Sequence, residues 1–271
     1  MGRAWRIEYK SSQRLQRIRN TMARVLKQQK SLNFAFKKRK GIGLGVIAIG
    51  SVILVLPFSL DSLPSNVKGI SVYLGVYLGI FLVFIGLGVI STGHKFKVGA
   101  AGESRVTEVL AGFPKYWYIF NDMFVGRSQI DHIVVCPKGV YTIETKNYQG
   151  TIHGNAEKPE WSQVIYSYKT PFYNPVKQGN GHSVSLSKYL RKNGFDKLWV
   201  NTIVVFTDPG VKLKVFSPKV PVIYLSELKE VFNKQQQIMN PDQCIKIATC
   251  VHKLIHAKRE KGRDVASANS G

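Results

Sequence analysis

The chain has 271 residues, 44% of them hydrophobic, enough for one core of ordinary size plus additional segments. Lys and Arg number 39 against 16 Asp and Glu, a formal net charge of +23, so an anionic partner is expected: nucleic acid, an acidic membrane surface, or both. Cys136, Cys244 and Cys250 have no CxxC spacing, which argues against a disulfide scaffold and for a reducing compartment.

Residues 1–40 hold thirteen Lys or Arg and one acid, Glu8. Leu15, Ile18, Met22, Val25 and Leu26 fall on one helical face with cations around the rest. Such an arm lies on anionic lipid or serves as a solvated cytoplasmic segment that enforces topology, and both readings stand. A cleavable signal peptide is not expected, because the apolar stretch begins only after Lys40.

Gly41–Leu60 and Ile70–Ile90 contain no charge. Each has about twenty residues, the length that crosses a ~30 Å hydrocarbon core as a helix. With Asp61–Gly69 as the turn, residues 41–93 are expected to form a two-helix membrane hairpin. Lys37, Lys38, Arg39 and Lys40 precede the first span, and His94, Lys95 and Lys97 follow the second. Positive flanks stay inside, so both termini are expected in the cytoplasm. Gly75, Gly79, Gly86 and Gly88 let helices approach closely, or are ordinary membrane glycines.

From Lys95 onward the chain is again basic, with twenty-five Lys and Arg against fourteen acids. Ala100–Phe113 carries an apolar helical face of Val106, Val109, Leu110 and Phe113. Glu103, in its expected first turn, is either an acid that suits the helix dipole or a carboxylate near a metal. A first strand is expected over Tyr116–Val125. Ile130–Cys136 and Val140–Thr145, separated by Pro137, Lys138 and Gly139, then read as a β-hairpin.

That hairpin carries charge where buried strands should not. Glu144 and Lys146 share a strand face, and Asp131 comes from the partner strand at the same end. Two carboxylates suit a hard cation such as Mg²⁺, which polarises a phosphoryl oxygen and acidifies a bound water. An ammonium beside them holds that water or neutralises developing charge. The ordinary alternative for this spacing is a solvated edge.

Thr151–Lys169 reads as two strands around an Asn155–Glu160 turn. Asn174–Asn193 reads as a helix with Pro175 in its first turn, weakened locally by Gly179 and Gly181. Lys188, Arg191, Lys192 and Lys197 crowd its end, as phosphate ligands or as a solvated cationic terminus. Val200–Phe206 is a buried strand, and Val211–Leu225 holds short strands broken by Pro218 and Pro221. Glu227–Phe232 is a short helix capped by Ser226. Pro241–Ala257 is a final helix with Ile245, Ala248, His252 and Ile255 on one face. His252 and His256 lack an acid at zinc-site spacing and read as structural. Residues 258–271 read as a disordered tail.

In order, the chain presents Gly102-Glu103, Asn121-Asp122, Gln129 to Val135, Gly139 to Asn147, Gly150, Trp161 with Gln163, and Asn174-Pro175 to Gln178. This series closely resembles the NERD (nuclease-related) domain, assigned to the PD-(D/E)XK nuclease superfamily, over about residues 99–210. The resemblance implies a restriction-endonuclease-like α/β fold, a central mixed sheet flanked by helices over 94–210, with 211–257 completing it. It implies Mg²⁺- or Mn²⁺-dependent hydrolysis of nucleic-acid phosphodiesters, DNA ahead of RNA, at the cytoplasmic face. Asp131 and Glu144 are then the metal carboxylates, Glu103 the supporting helical acid, Lys146 the catalytic lysine, and Gln178 the residue that shapes the site. A non-catalytic binding or membrane-sensing module with the same fold is the alternative. Two departures stand out: Ile130 rather than proline precedes Asp131, and His182 rather than tyrosine follows Gln178 by four. His182 faces phosphate or, in the ordinary reading, solvent.

The flanking charges generate a topology test. Reporters fused within residues 61–69 should signal from the extracytoplasmic side and one at Gly271 from the cytoplasm; a cytoplasmic signal from the 61–69 fusion sinks the hairpin.

Overall fold

The structure, a computed structural model, describes residues 25–27, 31–59, 65–114 and 116–268. Leu15, Ile18 and Met22 of the expected arm lie outside these residues, as do Leu60 of the expected first span, 61–64 of the expected turn and 269–271 of the expected tail. In chain order the elements are β1 (Val25–Lys27), α1 (Ser31–Val55), a 3-10 turn (Leu56–Ser59), α2 (Ser65–Ala111), β2 (Tyr118–Val125), β3 (Ser128–Cys136) and β4 (Gly139–Lys146). There follow β5 (Thr151–Asn155), β6 (Glu160–Ile165), β7 (Tyr168–Tyr173), α3 (Pro175–Lys192), β8 (Val200–Phe206), β9 (Lys212–Phe216) and β10 (Val222–Tyr224). A 3-10 turn (Leu225–Glu227), α4 (Leu228–Asn233) and α5 (Pro241–Ala268) complete the series. The chain divides into two units: Lys30–Ala101, and Gly102–Gly271 together with the N-terminal residues.

In the first unit α1 and α2 pack antiparallel through glycines. A Cβ on Gly50 would lie 2.9 Å from the Gly79 carbonyl oxygen, and one on Gly43 would lie 2.8 Å from that of Gly86. Both pairs recur after seven residues, a seam on which two backbones touch directly. Gly88 meets nothing and takes no part. Among the described residues one helix, over Gly69–Ala111, is long and apolar enough to cross a membrane. The first expected span differs: its α-helix stops at Val55 and tightens to 3-10 geometry around Pro57, which has no N–H to donate. From Gly41 to Val55 the helical apolar run spans only about 22 Å.

The second unit is built on a mixed six-stranded sheet in the order β1-β2-β3-β4-β8-β10. The β2-β3 and β3-β4 pairs are antiparallel; β1-β2, β4-β8 and β8-β10 are parallel. This bears out the expected α/β architecture with helices about a mixed sheet. Val106 and Leu110 of α2, with Phe113, Trp117 and Phe232, belong to one core cluster, in which Phe113 stacks on Trp117 at 4.2 Å. Leu186 and Leu190 of α3 join Ile247, Ala248 and Val251 of α5 in another. A four-stranded sheet, β7-β6-β5-β9, forms beside the first, with three consecutive strands where two were expected.

Several local expectations change. Val25 and Leu26 belong to strand β1 rather than to a helical face. Ala100 starts no helix, because α2 is continuous through it, so Glu103 has no helix terminus to serve. Ser226 lies inside a 3-10 turn, and the Glu227 carboxylate accepts the Tyr224 N–H at 2.8 Å instead. In α5 the buried face is Cys244, Ile247, Ala248 and Val251, one position round from the expected one. That helix also runs to Ala268, past the expected end at Ala257, through Lys, Arg, Glu and Ala that favour helix. All three cysteines are buried free thiols.

Two features aim α3 at the sheet. Asn174 caps it, its Oδ1 accepting the Val176 N–H at 2.8 Å, while its Nδ2 donates to the carbonyls of Asn155, Ala156 and Lys158. Gly179, which weakened the helix on paper, sets the packing distance: a Cβ there would lie 2.5 Å from Thr202 Cγ2. The helix stays unbroken across it because sheet contact outweighs the intrinsic cost of glycine, about 1 kcal/mol.

Candidate active site

Strand register brings the acids together. Asn121 pairs with His132 and Met123 with Ile130, while His132 pairs with Ile143. Continuing both registers by one residue sets Asp122, Asp131 and Glu144 in a row across β2, β3 and β4. The β3–β4 ladder ends beside that row, and the β2–β3 ladder skips Asp122 and resumes at Met123, while Glu144 still pairs with Val204 of β8. Asp122 adopts φ +55, a left-handed conformation that Asp tolerates better than most residues. Asp131 Oδ2 accepts the Thr145 N–H at 2.8 Å. Gln129 Nε2 donates to Asp122 Oδ1 at 2.7 Å.

Glu144 is 2% exposed. Its Oε1 accepts from Lys146 Nζ at 2.7 Å, and the same ammonium donates to Gln178 Oε1 at 3.0 Å. His182 Nδ1 lies 3.3 Å from Glu144 Oε2, outside hydrogen-bond alignment, so that buried oxygen has no hydrogen-bond partner. Gln178 and His182 are one turn apart on α3, and Gly179 between them leaves room for the Glu144 side chain: its Cβ would meet that of Glu144 at 3.6 Å. Glu103 reaches the cluster from α2. Gly102 makes that possible, since a Cβ there would lie 2.8 Å from Asn147 Cβ and from Thr207 Oγ1.

The electrostatics divide the acids. Burial opposes ionisation of Glu144, but the His182 contact and the Lys146 ammonium outweigh it and hold its carboxyl below the usual value. Burial likewise opposes charge on Lys146, and Glu144 overcomes it, raising the ammonium above its ordinary value. Asp131 goes the other way: burial, then Glu144 and Glu103, push it well above the carboxylate range despite the Thr145 N–H. Burial, Asp122 and Glu144 raise Glu103 to about 7. His132, buried with Nδ1 2.8 Å from Asn121 Oδ1, is pushed down to about 3 by burial and stays neutral.

The donors fit a hard divalent cation in kind: carboxylate oxygens of Asp131 and Glu144, one of them buried without a hydrogen bond. Among the described residues no group of three or more His, Cys, Asp or Glu is arranged to hold a metal ion. Lys146 and Thr145 engage the oxygens that such a group would use.

All five expected site residues fall on elements that converge here: Glu103, Asp131, Glu144, Lys146 and Gln178. His182 is in the site and not on the surface, with its side chain 12% exposed. Asp122 was missed; extending the hairpin register through the Asn121-Asp122 pair would have placed it. Other motif residues serve as supports. Asn147 Oδ1 accepts from Thr207 Oγ1 at 3.1 Å, Trp161 Nε1 donates to the Asn155 carbonyl at 2.9 Å, and Gln163 Nε2 to that of Gln149 at 2.8 Å. Gly150 has φ +76, and a Cβ there would collide with the Val164 carbonyl.

Residues 98–207 match the family described as Nuclease-related domain (NERD), so the chain contains such a domain with the whole cluster inside it. Over 90 residues the chain is 39% identical to an uncharacterized protein of Bacillus anthracis. That stretch is 31% of this chain and spans 42% of the relative's length. No solved structure matches the chain.

The raised Glu103 carboxyl sets a pH dependence. Folded protein keeps this proton up to about pH 7, whereas the ordinary value is 4.5. Below the lower value both states are protonated and nothing is lost. As pH rises through the window the unfolded state ionises first, so stability falls, and the loss is complete above the folded value. Unfolding in EDTA across this range should show a declining wild-type stability and a flatter profile for Glu103→Gln. Parallel profiles would contradict the assignment.

Proposed function

We propose that the NERD domain hydrolyses nucleic-acid phosphodiester bonds with a divalent cation, Mg²⁺ or Mn²⁺, as a nuclease of the PD-(D/E)XK type. The observation that carries this reading is the chain Glu144–Lys146–Gln178 beside Asp131. A buried carboxylate and ammonium on one strand face are locked at hydrogen-bond distance, where a merely structural sheet would place apolar residues. When bound, the cation supplies Lewis acidity toward the phosphoryl oxygen and acidifies water. Asp131 and Glu144 would hold it, with the Thr145 carbonyl and Glu103 alongside. Lys146 orients the attacking water and offsets charge developing on the phosphorane oxygens. Gln178 fixes the Lys146 ammonium, and His182 stands where it can counter the Glu144 charge or meet a phosphate oxygen.

We further infer that α1 and α2 carry the domain on a membrane. Their outward residues, among them Ile42, Leu44, Ile49, Leu74, Phe81 and Phe84, are exposed and apolar, a surface that water does not favour. The cationic flanks support an orientation with the domain and both termini in the cytoplasm and the basic residues before Gly41 against anionic lipid.

One observation favours a second reading, a binding or sensing module without chemistry: the lack, among the described residues, of a preformed three-ligand group. Turnover decides between them. Wild type should cut nucleic acid only with Mg²⁺ or Mn²⁺. Glu144→Gln and Asp131→Asn should lose metal binding and activity together. Lys146→Ala should keep most metal binding and lose at least about a hundredfold in rate. Equal cleavage by all four proteins, with folding verified by circular dichroism, would place the activity elsewhere; binding without cutting would establish the second reading.

A further inference from the structure

The cations at the end of α3, ambiguous in the sequence, line a groove. Lys188 and Arg191 from α3, Lys197 and Trp199 from the segment before β8, and Lys219 from the turn after β9 surround a cavity of about 820 Å³. One acid, Asp196, lies among them. All four cations are exposed, and among the described residues none forms an ion pair with an acid. Trp199 is 76% exposed, although it directly precedes the buried strand β8. Solvated helix ends explain Lys188 and Arg191 alone. They do not explain why two further segments bring cations to the same groove, or why an indole stays uncovered beside them.

We propose that this groove binds a single-stranded segment of nucleic acid, with Trp199 stacking on a base and the four cations taking phosphates. Unpaired cations match a polyanion in charge. An exposed indole offers a flat face to an unstacked base, and a base inside a duplex has no free face to give it. The proposal rests on the nucleic-acid reading of the domain and adds to it a substrate class and a path. Gln178 and His182 at one end of α3 face the acid cluster, and Arg191 at the other end lines the groove. The helix rise puts Gln178 and Arg191 about 20 Å apart. The groove thus holds the strand several nucleotides from the bond that the acid cluster would break.

The test measures binding without cleavage. Full-length Glu144→Gln protein in neutral-detergent micelles and EDTA is titrated into a fluorescent twelve-residue oligothymidylate, and anisotropy is read at several salt concentrations. Trp199→Ala in that background should weaken binding about tenfold, with Trp199→Phe recovering most of it. Replacing Lys188, Arg191, Lys197 and Lys219 singly by Ala should each reduce the slope of log affinity against log salt by about 0.7. A blunt duplex should bind without dependence on Trp199. The proposal is overturned if the oligonucleotide does not bind, or if every variant binds as tightly as the parent. It is also overturned if phosphatidylglycerol vesicles need these residues and the oligonucleotide does not, which would make the groove a lipid contact. Trp199-dependent binding by a protein whose wild type never cuts with Mg²⁺ would support the groove and remove the catalytic reading.

Discussion

The constraint on which the site depends is the burial of Glu144. A carboxylate taken out of water costs several kcal/mol unless it is paired and hydrogen-bonded. The pairing comes from the strand itself, because period two puts Lys146 on the same face. It is reinforced from α3, where Gln178 holds the ammonium and His182 approaches the remaining carboxylate oxygen. That helix reaches Glu144 only because residue 179 is glycine and Asn174 fixes where the helix begins. A cap, a glycine and a mixed sheet therefore converge on one ion pair. A core that needed only stability would more readily use apolar side chains here.

Around this pair the other acids are in the opposite condition. Asp131 and Glu103 are driven toward their protonated forms by burial and by the fixed negative charge of Glu144. Crowding carboxyls in this way is costly for an isolated fold and favourable for one that accepts a divalent cation, whose charge reverses the local balance. The left-handed Asp122 and the interrupted ladder at Asp131 belong to the same arrangement, since freeing carboxylate side chains from a regular sheet requires the sheet to open.

Much of this was legible in the sequence. The hairpin from Ile130 to Thr145, the helix beginning near Asn174 and the buried strand at Val200 all follow from local pattern, and Glu144 with Lys146 follow from alternation. What escaped detection depends on contacts between distant segments. Asp122 enters the site through strand register and a positive φ. His182 enters because Gly179 brings α3 close. Glu103 loses its expected helix terminus because α2 continues through Ala100, and nothing in the local stretch marks that continuity. Tyr168–Tyr173 forms a further strand, beyond the two expected over Thr151–Lys169, and it contains Pro171; β7 lies at a sheet edge, where a missing N–H is tolerated.

The central claim is the proposed one, that Asp131 and Glu144, with Glu103 alongside, take up a divalent cation, although among the described residues no three-ligand group is preformed. Proton release tests it most directly, because a carboxyl that holds its proton to about pH 7, as Glu103 does, must give it up to a metal. Calorimetric titration of the full-length protein with Mn²⁺ near pH 6.5, in buffers of different ionisation enthalpy, counts those protons. The account requires release of about one proton or more per bound ion, reduced in Asp131→Asn and in Glu103→Gln. Mn²⁺ binding with no proton released, or release unchanged in both variants, would contradict it.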